Sequence, residues 1–147
     1  MGLDHLSSRF QELLGMVLRE FGPSVVSVTM FGSQVKGEAG PHSDYDMVII
    51  MEALDPNPNI RGEIVASAIT NILFESGLRI SPLVFTREEA TNEVENGSPL
   101  FASVLSDYEI LYDPTGFMAE LLDLTKRLRP KITYVERTFE LRRTVAQ

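Results

Sequence analysis

At 147 residues, 44% of them hydrophobic, the chain is long enough for one domain with a real core and too apolar to be disordered by composition. No apolar run approaches the roughly 18 residues of a membrane span, and the N-terminal stretch lacks the basic n-region and cleavage site of a signal peptide, so the expectation is an intracellular, cytoplasmic protein. With no cysteine there is no disulfide, thiolate zinc site or cysteine nucleophile, and a net charge of −8 argues against generic nucleic-acid binding.

Leu3, Leu6, Phe10, Leu13, Leu14, Val17, Leu18 and Phe21 recur at helical spacing and predict an N-terminal helix within 1–22, stopped by Gly22-Pro23. Ser24–Phe31 is rich in β-branched residues and reads as a strand. Gly32 to Ser43 holds three glycines and a proline, read as a short helix after Gly32-Ser33 followed by a loop. Asp44–Met51 is the next strand. Asp55-Pro56-Asn57-Pro58-Asn59 breaks the chain and introduces a helix from about Ile60 to Ser76, closed by Gly77. Leu78–Thr86 is a third strand, interrupted by Pro82, and a proline in a strand suggests an edge or a bulge. Thr86 and Glu89 form a capping box for a short helix near 87–95. Asn96-Gly97-Ser98-Pro99 starts another helix, Tyr108–Tyr112 is a fourth strand, and Asp113-Pro114-Thr115-Gly116 opens a helical tail broken near Pro130. There is no internal repeat. The alternation predicts an α/β (α+β) fold, a small mixed sheet with helices packed on it.

The chemistry concentrates in residues 31–50, FGSQVKGEAGPHSDYDMVII. A Gly-Ser at the end of a strand, opening a helix, offers backbone N–H groups and a positive dipole end to an anion. Gly32 would let a phosphate approach the backbone, and Ser33 would add a hydroxyl donor. Asp44 and Asp46 are two apart on a strand, so their side chains share a face. Two carboxylates on one face repel unless a cation sits between them, and a hard divalent ion such as Mg²⁺ fits, shared with substrate phosphates. A phosphate cradle beside paired carboxylates is the apparatus of phosphoryl or nucleotidyl transfer.

Gly32-Ser33, ten intervening residues and Asp44-Tyr45-Asp46 resemble the motif of the minimal nucleotidyltransferases of the DNA polymerase β superfamily. The flanks agree: an apolar strand ending in Phe31, Lys36-Gly37 after the Gly-Ser, and an apolar strand after the aspartates. SPLFASVLSDYEILYDPTG is similar to the family's later helix and strand, so the resemblance covers roughly residues 20–115. It implies a single nucleotidyltransferase-like domain over 1–147, with 1–22 as its N-terminal helix and 116–147 as a helical tail. It further implies transfer of a nucleoside monophosphate from an NTP, ATP first, to a hydroxyl. Asp44 and Asp46 would be metal ligands and catalytic residues, and Gly32, Ser33 and Lys36 would bind the nucleotide. Small stand-alone members pair with HEPN-domain toxins as adenylylating antitoxins. The expected partners are therefore an NTP, a HEPN-domain protein and, as an open alternative, a second copy of the chain.

The chain departs from the family at two points. Active members carry a third carboxylate on a later strand, and here that strand reads LRISPLVFT, with Ser81 and Pro82 near the position. Glu88 and Glu89 follow, best read as first-turn dipole partners of a helix. A degenerate member that binds nucleotide or partner without transfer is thus the competing reading, and an inert interaction protein a third. Gln34 stands where relatives often have a basic residue. Ser43 is read as a turn cap, Tyr45 as a packing residue, and His5 and His42 as isolated surface histidines. Residues 1–125 carry 6 basic and 19 acidic side chains and residues 126–147 carry 7 and 2, so an acidic body meets a basic tail.

Overall fold

The computed structural model describes residues 7–40 and 43–128. Leu3, Leu6, His5 and His42, and the tail from 129 with its break at Pro130, lie outside the described residues.

Helix α1 (Ser8–Phe21) begins where the Ser7 hydroxyl accepts the Phe10 N–H at 3.2 Å, the usual way an N-cap satisfies an orphan donor. Its buried Leu13, Leu14, Met16, Val17 and Phe21 form one stripe. Strand β1 (Val25–Phe31) leads through Gly32 into α2 (Ser33–Lys36), a single turn, and the chain returns as β2 (Tyr45–Met51). Helix α3 (Pro58–Ser76) starts two residues before the expected Ile60, because Asn57 caps it and proline is suited to the first helical position. Gly77 closes it as expected. Strand β3 (Ile80–Thr86), α4 (Arg87–Glu95), α5 (Pro99–Ser106) and β4 (Tyr108–Tyr112) follow. A further helix, α6, occupies 117–128, and the Asp113 carboxylate accepts the Met118 and Ala119 N–H groups at its start, both at 3.0 Å.

The sheet order is β3-β2-β1-β4. β1 is antiparallel to β2 and β4, and β2 is parallel to β3. Pro82 does not interrupt β3: the pairing with β2 runs from Tyr45–Ile80 to Met51–Thr86 without a shift. β3 is an edge strand, where a missing N–H is tolerated because it can face outward.

The central strands are buried on both sides, and alternation sends their side chains into two cores. Val28, Met30, Met47 and Ile49 pack with α1 and with Ala68 and Ile72 of α3. Val26, Val48 and Ile50 pack under Ala90 and Val94 of α4, Phe101 and Val104 of α5, and Met118, Leu121 and Leu122 of α6. Each fully buried Ile or Val contributes about 1.5–3 kcal/mol, so this double burial holds β2 and the residues at its start in place. The expected mixed sheet with helices packed on it is what forms. Among the described residues no helix is long and apolar enough to cross a membrane.

Candidate active site

β1 and β2 deliver the two halves of the motif to one end of the sheet. Phe31, the last residue of β1, pairs with Asp46 on one side and with Tyr108 of β4 on the other. Gly32 then turns the chain with φ +84°, a left-handed conformation that disfavours any side chain. A Cβ at Gly32 would lie 2.8 Å from Asp46 Oδ2. The glycine therefore leaves the space that the Asp46 carboxylate fills, a reason for Gly32 that the sequence did not suggest.

The N–H groups of the turn are divided. That of Gly32 is not free for an anion, since it donates to the Asp107 carbonyl at 3.2 Å. The Gly32 carbonyl accepts from Val35 and Lys36 at 3.1 and 3.2 Å. Ser33 and Gln34 follow as the first residues of α2, whose N–H groups have no intrahelical acceptor. With only four residues, α2 has little macrodipole, so these local donors and the Ser33 hydroxyl are what the turn offers an anion.

Asp44 immediately precedes β2 and Asp46 is its second residue; both are half-buried. Tyr45 between them is 4% exposed and packs into the α1–α3 core, as alternation requires. Burial first, and the charge of Asp44 second, hold the Asp46 carboxyl above the usual carboxylate range. Among the described residues no basic side chain forms an ion pair with either aspartate. Two oxygen-donor carboxylates on one face, one of them resisting ionisation and neither neutralised by the protein, fit a hard divalent cation. No third His, Cys, Asp or Glu joins them among the described residues, so the remaining ligands would come from phosphates and water.

Lys36 turns out to be engaged: its Nζ lies 3.4 Å from Asp107 Oδ2. Gln34 donates to the Ser43 carbonyl at 3.1 Å and the Ser43 hydroxyl accepts the Gly40 N–H at 2.9 Å, so both brace the loop that leads to Asp44. Asp107, the residue before β4, therefore holds the motif twice, by its carbonyl on Gly32 and its carboxylate on Lys36. A lone aspartate in a helix-to-strand connection carries no sequence signal that would have singled it out.

Of the two residues near the expected third carboxylate, it is Ser81 that stands beside Asp46. Ser81 pairs in register with Asp46 on the neighbouring parallel strand, so the two side chains share a face, and Ser81 is exposed. Glu88 and Glu89 do not substitute for it. They follow Thr86, which pairs with Met51, five residues along the strand from Asp46 and about 16 Å away. Glu89 is also committed elsewhere. It accepts the Thr86 N–H at 2.9 Å, completing the expected capping box, and pairs with Arg61 at 2.9 Å. The Thr86 hydrogen bond first, and Arg61 next among the favourable contacts, hold its carboxyl below the usual range.

A mixed four-stranded sheet that brings a Gly-Ser turn against an Asp-x-Asp strand defines the class of nucleotidyltransferases. The family model for the nucleotidyltransferase domain matches residues 11–98, and the chain belongs to that family. It is 26% identical over 129 residues to a protein of Methanocaldococcus jannaschii named "Putative protein adenylyltransferase MJ1305", a match covering 85% of this chain and 86% of the relative. Among solved structures, a chain of a toxin–antitoxin complex with AMP-PNP superposes with a TM-score of 0.63 at 14% identity, covering 92% of this chain and 98% of that one. A chain of the complex of tri-AMPylated Shewanella oneidensis HEPN toxin with MNT antitoxin gives 0.59 at 13%, covering 92% and 95%. At such identities the likeness shows the fold.

Proposed function

We propose that this chain is a Mg²⁺-dependent adenylyltransferase that moves AMP from ATP to a hydroxyl of a partner protein of the HEPN class, in the cytoplasm. The observation that carries the reading is the face shared by Asp44 and Asp46, with no basic partner among the described residues, packed against Gly32 at the Gly32-Ser33 turn. The name of the M. jannaschii relative supports protein adenylylation, and the neighbouring toxin–antitoxin complexes support ATP and a HEPN partner.

In this reading Asp44 and Asp46 hold the cation, which when bound neutralises phosphate charge and lowers the barrier to attack at the α-phosphorus. The Ser33 and Gln34 N–H groups and the Ser33 hydroxyl orient the triphosphate. The acceptor oxygen forms a bond to the α-phosphorus, the bond to the bridging oxygen breaks, and pyrophosphate leaves with that electron pair. Lys36 reaches the phosphates only by leaving Asp107, an exposed pair that holds it weakly. The Ser81 hydroxyl stays un-ionised at neutral pH and is a poor proton acceptor, so the acceptor's hydroxyl proton passes to solvent or to the acceptor's own surroundings.

Titration of ATP with and without Mg²⁺ against wild type and Asp46→Asn tests the binding half. Tight binding is expected only for wild type with Mg²⁺, and equal affinity in all four cases would refute it. The competing reading, nucleotide or partner binding without transfer, is favoured by one observation: Ser81 beside Asp46. Labelled-ATP transfer separates the two. Slow transfer by the isolated chain, raised tenfold or more in Ser81→Asp, is the outcome expected of the enzyme, whereas no transfer by either protein, with or without partner, marks the degenerate member.

A further inference from the structure

On the sheet face opposite Asp46 lies a cavity of about 580 Å³, within the usual range for small-molecule sites. Arg9 of α1 and Arg79, just before β3, line it with Gln34, Tyr45, Leu73 and Leu78, and among the described residues no acidic side chain contributes to its wall. Elsewhere on the body of the fold the cations are matched: Arg19 with Glu75, Lys36 with Asp107, Arg61 with Glu89 and Arg87 with Glu52. Among the described residues Arg9 and Arg79 have no carboxylate partner, although residues 1–125 carry three times as many acidic as basic side chains. Two guanidinium groups without a carboxylate partner among the described residues thus share one recess of an acidic body, an arrangement that suits an anion.

The recess is also built. Arg9 Nη1 donates to the Tyr45 hydroxyl at 3.3 Å, and the Tyr45 N–H donates to the Arg79 carbonyl at 2.9 Å. The same buried tyrosine thus anchors one arginine by its head and the other by its backbone. Gln34 is fixed in the lining by its bond to the Ser43 carbonyl. Guanidinium groups present fixed forks of donors that match phosphate oxygens, and Leu73 and Leu78 give an apolar wall for a ligand body.

We propose that this cavity is a second ligand site, distinct from the Asp44–Asp46 face, that takes a compact phosphate-bearing anion between Arg9 and Arg79. The chemistry is a phosphoryl dianion, from free phosphate or pyrophosphate or from a nucleoside monophosphate. The site does not require the function proposed above, since it uses neither aspartate nor metal.

The test is a titration of the full isotope-labelled chain, without divalent metal and at low salt, followed by amide chemical shifts. Inorganic phosphate, pyrophosphate and AMP are added separately. We expect at least one to shift the amides of Leu73, Leu78 and Arg79. Its affinity should fall at least tenfold in Arg79→Gln and in Arg9→Gln/Arg79→Gln, and should be unchanged in Asp46→Asn. Arg79 meets Tyr45 through its backbone alone, so Arg79→Gln keeps the fold, which the same spectra report. AMP binding where the inorganic anions fail identifies the apolar wall as a ligand contact, and equal binding of all three identifies the phosphoryl group alone; either supports the site. No shift with any probe, or affinity that survives the arginine changes or is lost in Asp46→Asn, overturns it.

Discussion

Gly32 and Asp46 share one volume, and each limits what the other can be. A Cβ on Gly32 would stand 2.8 Å from the Asp46 carboxylate and would hold the backbone at φ +84°. Gly32→Ala is therefore expected to cost about 1–2 kcal/mol of stability and to displace the carboxylate, weakening Mg-ATP binding at least tenfold. Chemical denaturation and ATP titration check the two effects, and wild-type affinity in a folded Gly32→Ala would contradict the assignment. Asp46 behaves in the opposite sense. Its raised pKa means that the folded state holds the proton more tightly than the unfolded chain, so ionised Asp46 costs stability. The cost is absent below the ordinary value of 3.8 and is complete once pH exceeds the raised folded value. Asp46→Asn should thus raise the metal-free Tm by about 1–3 °C at neutral pH, with the gain shrinking toward pH 4. A Tm below wild type at pH 7 would contradict it.

At the scale of elements, β1 carries an unneeded cost. Ser27 and Thr29 are fully buried, and neither hydroxyl has a hydrogen-bond partner among the described residues. Valine has nearly the shape of threonine and suits a strand, so Thr29→Val should stabilise the fold by about 1 kcal/mol. A urea midpoint that rises at unchanged slope is the expected result; a falling midpoint would mean that the hydroxyl is satisfied. The elements themselves were largely legible. The capping box at Thr86, the Gly77 stop and the limits of β4 follow from local chemistry that tertiary packing did not override. The pairing of the motif was legible because its parts are close in sequence and alternation alone places both aspartates on one face. What was not legible depends on chain crossings. That Ser81 stands beside Asp46 follows from the β2–β3 register, and that Asp107 tethers Gly32 and Lys36 follows from β4 joining the far side of β1. Pro82 was legible in part: a proline in a strand suggests an edge or a bulge, and β3 is the edge, but the pairing runs past it without the expected interruption.

At the scale of the molecule the chain divides by charge. The seven cations of 126–147, Lys126, Arg127, Arg129, Lys131, Arg137, Arg142 and Arg143, follow an acidic body, and from 129 they lie outside the described residues. If that segment docks an acidic surface, association should weaken steeply with ionic strength and disappear on truncation after Pro130, because exposed charge contacts are screened within about 10 Å at 0.1 M salt. Analytical ultracentrifugation of full and truncated chains, alone and with a partner, checks this. Unchanged association and nucleotide binding after truncation would reduce the segment to packing.

The tie between Gly32 and Asp107 reaches beyond the residues that the family model matches. Asp107 and β4 lie after residue 98, where that match ends, yet they hold the Gly-Ser turn and cover the outer edge of β1. A chain cut at 98 would keep every residue of the motif and lose the conditions for using it. Its turn would be untethered, and β1, with Val26, Val28 and Met30 in line, would become an open edge ready to add another strand. The unit that presents the motif is thus set by backbone closure around it and is longer than the motif's own span.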